Sequence, residues 1–152
     1  YADGPAIWAL SQELGAREQS IRGRQFSLDE HMDWWAARYA DRGQLFFVPR
    51  FNAGSIVGYV RYGRCGPGEL CTNEDEAEVS IAIDPGIRGM GLGRKMLTET
   101  APLALRALGV HKIVALIKPD NVASVSAFLA AGYARAGQET RMGVDLLRYE
   151  KT

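Results

Sequence analysis

The six residues Arg88-Gly89-Met90-Gly91-Leu92-Gly93, followed directly by Arg94, are the part of this sequence best suited to chemistry. Glycine lets the backbone turn sharply, so that consecutive N–H groups can point at one ligand. The segment lies between an alternating apolar stretch and an amphipathic one. It therefore opens a helix, whose N-terminus adds partial positive charge. Arg88 and Arg94 bracket it with full charges. Together these features make a cradle for a pyrophosphate. Two familiar cradles are excluded. No glycine is followed by Lys and then Ser or Thr, as an NTPase loop requires. The glycines stand at 89, 91 and 93, which departs from the G-x-G-x-x-G spacing of dinucleotide-binding proteins. Further side chains with chemical capacity are Glu78, upstream of the loop, Asn121, downstream of it, and Glu30-His31 near the start of the chain.

These residues need elements to hold them. Residues 77–84 alternate, with Val79, Ile81 and Ile83 on one face and Glu78, Ser80 and Ala82 on the other, which predicts a strand. Residues 92–108 carry Leu92, Met96, Leu97, Ala101, Ala104, Leu105 and Leu108 at helical spacing, with Gly109 as the stop. Pro102 inside that helix removes a backbone donor and predicts a kink. Residues 112–117 read as a buried strand, 121–131 as a helix ended by Gly132, and 133–138 and 142–150 as two closing strands. Upstream, residues 5–14 read as a short helix led by Pro5. Residues 15–26, with Arg17, Arg22 and Arg24, read as a loop. Ser27 and Glu30 form a capping box for a helix to Ala40, with Met32, Trp34, Trp35 and Tyr39 as its bulky positions. Residues 45–50 and 55–63 predict a hairpin around Asn52-Ala53-Gly54, and 64–76 a loop. The order of elements is that of a mixed α/β layered domain.

Composition narrows the classes. The chain has 152 residues, which fits a single domain. Eighteen Lys and Arg balance eighteen Asp and Glu, so the basic footprint of a nucleic-acid-binding protein is absent. No apolar run is long enough for a membrane-spanning helix. Cys65 and Cys71 cannot build a disulfide scaffold and lack partners at metal-site spacing, so no metal is expected. A reducing, cytoplasmic setting is the expectation, with Cys65–Cys71 pairing as the alternative.

Residues 78–133 resemble the cofactor-binding core of the GNAT acetyltransferase superfamily. Arg88-Gly89-Met90-Gly91-Leu92-Gly93 is similar to its [RQ]-x-x-G-x-[GA] pattern, and Asn121-Val122-Ala123-Ser124 to its N-x-x-[SA] helix, closed by Gly132-Tyr133 as G-[FY]. The resemblance covers roughly residues 45–150. It implies a central twisted mixed sheet, splayed between the family's fourth and fifth strands and flanked by about four helices. In the family a strand precedes the first helix. Here that strand is truncated or lies upstream of Tyr1, in a single domain 1–152 or a piece of a longer chain.

The resemblance also implies a reaction, direct attack of an amine on the thioester of acetyl-CoA, with no metal. Its cofactor contacts would be the backbone of Ile81, Ala82 and Ile83 at the splay, the loop Arg88, Gly89, Met90, Gly91, Leu92, Gly93 and Arg94, then Asn121, Ser124 and Phe128. A backbone N–H at the splay would stabilise the oxyanion. Glu78 is the first candidate for the base that removes the amine proton, and His31 the second. Many relatives carry a thiolate-protonating Tyr where this sequence has Phe128. For the acceptor, Glu30-His31-x-x-Trp34 resembles a segment of enzymes that acetylate nucleotide-linked amino sugars of the pseudaminic-acid type. Arg24, with Arg17 and Arg22, would meet the diphosphate, and Trp34 or Trp35 would stack on base or sugar. Protein N-termini, another small-molecule amine, and a non-catalytic acetyl-CoA-binding module are the alternatives. A homodimer is the assembly that family habit suggests.

Overall fold

The computed structural model describes residues 3–12, 27–41, 43–51, 54–66 and 71–152. Helix α1 spans Gly4–Gln12 and α2 Leu28–Ala40. Ser27 and Glu30 cap α2 reciprocally: the Ser27 N–H donates to Glu30 Oε2 at 2.8 Å, and the Glu30 N–H to Ser27 Oγ at 3.1 Å. The strands are β1 Gln44–Phe47, β2 Arg50–Phe51, β3 Ser55–Ile56, β4 Gly58–Arg64, β5 Glu76–Ile83, β6 Lys112–Ile117, β7 Ala134–Arg141 and β8 Val144–Lys151. Helix α3 spans Leu92–Leu108 and α4 Val122–Ala130.

The sheet has six strands in the order β1-β4-β5-β6-β8-β7, and β2 and β3 form a separate ribbon. Every pairing is antiparallel except that of β5 with β6, which is parallel. The expected hairpin therefore exists as β1 on β4, with the β2–β3 ribbon inserted between them. The apolar stripe of α3 covers one face. Met96, Leu97, Ala101, Ala104 and Leu108 pack on Val60, Tyr62, Ala77, Val79, Ile113, Ala115 and Tyr149. Helix α1 crosses the β4–β5 region and packs on α2, where Ile7 and Trp35 are buried.

Helix α3 continues through Pro102 as one helix. Pro102 and Thr98, whose carbonyl loses its partner, are both exposed, so water can take the freed acceptor. The first helix is described over Gly4–Gln12, and residues 13–26, which hold the expected helix end at 14 and the loop with Arg17, Arg22 and Arg24, lie outside the described residues. Cys65 and Cys71 are paired in a disulfide across the base of the β4–β5 connection, the alternative to the free thiols expected. Among the described residues no helix is long and apolar enough to cross a membrane, and no His, Cys, Asp and Glu group could hold a metal ion.

Candidate active site

The site begins where two strands part. The β5–β6 ladder contains only the pairs Glu76↔Lys112, Ala77↔Ile113 and Glu78↔Val114. Beyond Val114, β6 continues on β8, through Ile117↔Leu147. Beyond Glu78, β5 keeps only β4, through Ile83↔Gly58. The splay therefore opens at Val79, and the β6-facing backbone of Val79–Ile83 has no strand partner among the described residues. Glu78, half-buried, is the last residue of β5 before the fork.

After β5 the chain makes a tight 3-10 turn at Pro85–Ile87, closed by Asp84 Oδ1 accepting from the Gly86 N–H at 2.8 Å. Arg88 reaches back, and its Nε donates to the Ile83 carbonyl at 3.1 Å, which ties the loop to the tip of the splayed strand. Gly89 and Gly91 have φ of 83° and 75°, left-handed angles that cost other residues about 1–2 kcal/mol. A Cβ on either would meet nothing within 4 Å, so the space beside both is open. Gly93 differs. Its Cβ would stand 3.0 Å from Ile83 Cδ1, 3.7 Å from Ile81 Cδ1 and 3.8 Å from Ala127 Cβ. Two glycines shape an open cradle, and the third lets α3 press against β5 and α4.

The electrostatics of this loop are unusual for a helix start. Helix α3 has no side-chain cap and no acidic residue in its first turn. The orphan N–H groups of that turn carry partial positive charge, and Arg94 and Lys95 add full charges where the helix dipole disfavours them. An anion in the cradle relieves both costs. Beside the loop, a cleft of about 540 Å³ runs between α3 and the end of α4, lined by Gly91, Arg94, Lys95, Thr98, Glu99 and Ala130–Gly132. The residues at hand thus fit a pyrophosphate and an extended cofactor arm.

The other candidates divide. Asn121 caps α4, its Oδ1 accepting from the Ser124 N–H at 3.2 Å. Met90 is exposed and Leu92 half-buried. Phe128 is buried, edge-on to Tyr133 with ring centroids 4.9 Å apart, so it belongs to the core rather than to a cofactor surface. Tyr133 is no substitute acid. Burial, and then the neighbouring Tyr62, push its phenol far up.

The acceptor-side expectations change more. His31 is 2% exposed, its Nε2–H donating to the Gly4 carbonyl at 2.9 Å, and its ring stacks on Trp35 at 6.2 Å. Burial pushes its imidazole below the ordinary value. It joins α1 to α2 and is not presented as a base. Glu30 is engaged in the cap of α2. Trp34 is 37% exposed, whereas its neighbour Trp35 is core. Arg24 lies outside the described residues.

Sequence reasoning missed two features. Glu76, 6% exposed, accepts from Arg148 Nη2 with both carboxylate oxygens at 3.0 Å. Arg148 also donates to Glu139 at 2.9 Å, and Lys112 pairs with Glu150 at 2.9 Å. This network pins β5, β6, β8 and β7 together just below the fork. The second is Arg61 on β4, set over Trp34. Alternation along residues 58–64 could have flagged its face, but only the register shows what it meets.

Comparisons with known proteins agree with this geometry. The model of the acetyltransferase (GNAT) family matches residues 9–133. An L-methionine sulfoximine/L-methionine sulfone acetyltransferase of Pseudomonas paraeruginosa is 32% identical over 143 residues, covering 93% of this chain and 81% of that protein. The crystal structure of a ribosomal-protein-alanine N-acetyltransferase from Brucella melitensis superposes with a TM-score of 0.78 at 29% identity, covering 99% of this chain and 94% of that one. An aminoglycoside acetyltransferase solved with coenzyme A superposes with a TM-score of 0.82 to 0.83 over 99% of this chain and 90% of that one. At 19% identity, it speaks for the fold alone.

Proposed function

The chain belongs to the acetyltransferase (GNAT) family, and from that premise we propose that its acceptor is a small-molecule primary amine of the amino-acid type. The protein is an N-acetyltransferase that takes its acetyl group from acetyl-CoA. The observation that carries the reading is the coincidence of three things at one fork: the free edge of Val79–Ile83, the uncapped cationic start of α3, and Glu78 at the branch.

In this reading the N–H groups of the glycine loop, with Arg88 and Arg94, hold the pyrophosphate. The β6-facing backbone of Ile81–Ile83, without a strand partner among the described residues, meets the pantetheine arm and the thioester carbonyl. A backbone N–H there stabilises the oxyanion that forms as the amine attacks, a preorganised term that often contributes most to rate. Glu78, directly or through one water, takes the ammonium proton so that the neutral amine can attack. The nitrogen of the tetrahedral intermediate gives up its second proton to water as the intermediate collapses to the amide and expels the CoA thiolate. Phe128 carries no hydroxyl, so water protonates the thiolate or it leaves as the anion, as a thiol pKa of about 8.5 permits. Asn121, its Oδ1 committed to the α4 cap, offers its amide N–H groups to the pantetheine, with Ser124 beside it.

The amino-acid acceptor draws support from the named substrate of the Pseudomonas relative. A nucleotide-linked amino sugar is the second reading, favoured by the exposed indole of Trp34. It is weakened because Glu30 and His31 of the same motif are engaged in capping and burial. The test is CoA-thiol release over a panel of methionine sulfone and other amino acids, UDP-linked amino sugars, N-terminal peptides and simple amines, with product masses. Turnover of amino acids is expected. Turnover confined to sugar nucleotides or peptides refutes the acceptor, and acetyl-CoA binding without any turnover refutes the catalytic reading.

A further inference from the structure

The cleft beside the glycine loop receives a stripe of α3 that the pyrophosphate cradle does not use. Gly91, Lys95 and Thr98 recur at helical spacing, so one side of α3 carries all three into the cleft. Gly93, which faces Ile83, Ile81 and Ala127, lies about half a turn away. The loop therefore opens on two sides. One leads to the splayed backbone of β5, and the other leads into the cleft. The far wall of the cleft is Ala130, Ala131 and Gly132, which offer no side-chain atom beyond Cβ. Gly132 has a φ of 89°, and a Cβ there would stand 2.8 Å from Lys151 Nζ, which donates to the Ala131 carbonyl at 2.7 Å. That wall is a smooth face against which a flat group can lie.

The wall formed by α3 is charged, and its charge is graded. The loop, with Arg88 and Arg94, takes one anionic group. Lys95 is exposed and carries its charge near the helix start, where the dipole disfavours it. Among the described residues, no hydrogen bond or ion pair holds its ammonium. It stands about 6 Å along the helix axis from Gly91, so it suits a second anion beyond the first. Glu99, one turn further on, is the acid of the lining and suits a neutral base that carries an amino donor. CoA has this pattern on the side of its pyrophosphate away from the thiol: a ribose 3′-phosphate, then adenine.

We propose that Lys95 is the specificity-determining residue that receives the ribose 3′-phosphate of CoA, with the adenosine seated in the cleft against Ala130–Gly132. This rests on the pyrophosphate cradle described above. Lysine suits the duty, because a compact charge on a flexible stem can follow a phosphate whose position is set by the rest of the ligand. A thioester donor without that phosphate, such as a dephospho-CoA or a phosphopantetheine carried on a protein, loses the contact.

The test is titration calorimetry of CoA and of 3′-dephospho-CoA on wild type, Lys95→Gln, Lys95→Arg and Arg106→Gln. Lys95 is exposed and Gln is a good helix former, so the variant chains should fold as wild type does. Wild type is expected to bind CoA about 10-fold more tightly than 3′-dephospho-CoA, the scale of one solvent-facing charge-assisted contact. Lys95→Gln should weaken CoA by about 10-fold and leave 3′-dephospho-CoA within about 2-fold, which abolishes the preference. Lys95→Arg keeps the charge and should keep most of it. Arg106→Gln removes an exposed charge from the last turn of the same helix and should leave the ratio intact, which separates a local contact from the general field of α3. The wild-type preference should shrink as salt is raised. Equal affinity of wild type for the two ligands, or a preference that survives Lys95→Gln, overturns the proposal while the cradle stands. Failure of wild type to bind either ligand overturns both.

Discussion

The cradle can be tested with a single atom-for-atom swap at Gly91. Its φ of 75° is tolerated by Asn and Asp better than by other side chains, and a Cβ there meets nothing within 4 Å. Gly91→Asn and Gly91→Asp should therefore fold alike, each destabilised by no more than about 1–2 kcal/mol. The two side chains have the same shape and differ in charge. If the pyrophosphate sits over this turn, the new carboxylate lies about 6 Å from two negative charges. With an effective dielectric of roughly 40 for so open a site, each charge contributes about 1.4 kcal/mol of repulsion. The sum, about 2.8 kcal/mol, corresponds to roughly 100-fold in affinity. Titration calorimetry with acetyl-CoA should show Gly91→Asn near wild type and Gly91→Asp about 100-fold weaker at low ionic strength. The gap should shrink towards molar salt, where the screening length falls to about 3 Å. Equal affinities of the two variants at low salt would refute the cradle.

Gly93 makes the opposite prediction, because Ile83, Ile81 and Ala127 occupy the space beside it. Gly93→Val should cost about 2–3 kcal/mol through overpacking, lowering Tm by about 5–10 °C in scanning calorimetry, and an unchanged Tm would show that α3 does not press on β5. Glu78→Gln should lower kcat by about 10²–10⁴-fold at neutral pH; the loss should narrow as pH approaches the acceptor's own pKa, and a loss equal at all pH values would count against a base. His31 is held neutral by burial, so its folded pKa is below the ordinary 6.5 and the unfolded chain binds the extra proton. Its contribution to stability is therefore present above 6.5 and lost as pH falls below it. The Tm difference between wild type and His31→Gln should shrink from neutral to acidic pH, and a constant difference would contradict the burial argument.

What could be read along the chain was local. Ser27 and Glu30 are three residues apart, and their capping box needs nothing beyond one helical turn. Gly89 and Gly91 announce left-handed backbone because almost no other residue takes it cheaply, and the stripe from Met96 to Leu108 announces which side of α3 is covered. These features carry the cofactor end of the site, which is why the sequence by itself determined the family resemblance and the pyrophosphate loop. The acceptor end depends on residues distant in the chain. Arg61 acquires its contacts only when β1, β4, β5 and α2 bring Gln44, Ser80 and Trp34 around it. Glu30, His31 and Trp34 form one motif in sequence, yet packing spreads them over three environments: a cap, a buried contact to Gly4, and an exposed ring. Phe128 occupies a motif position and is core, because α4 closes on Tyr133. The length of the splay was equally hidden. It is set by the register at which β6 leaves β5 for β8, and pairing between strands far apart in sequence is a property of the folded sheet alone.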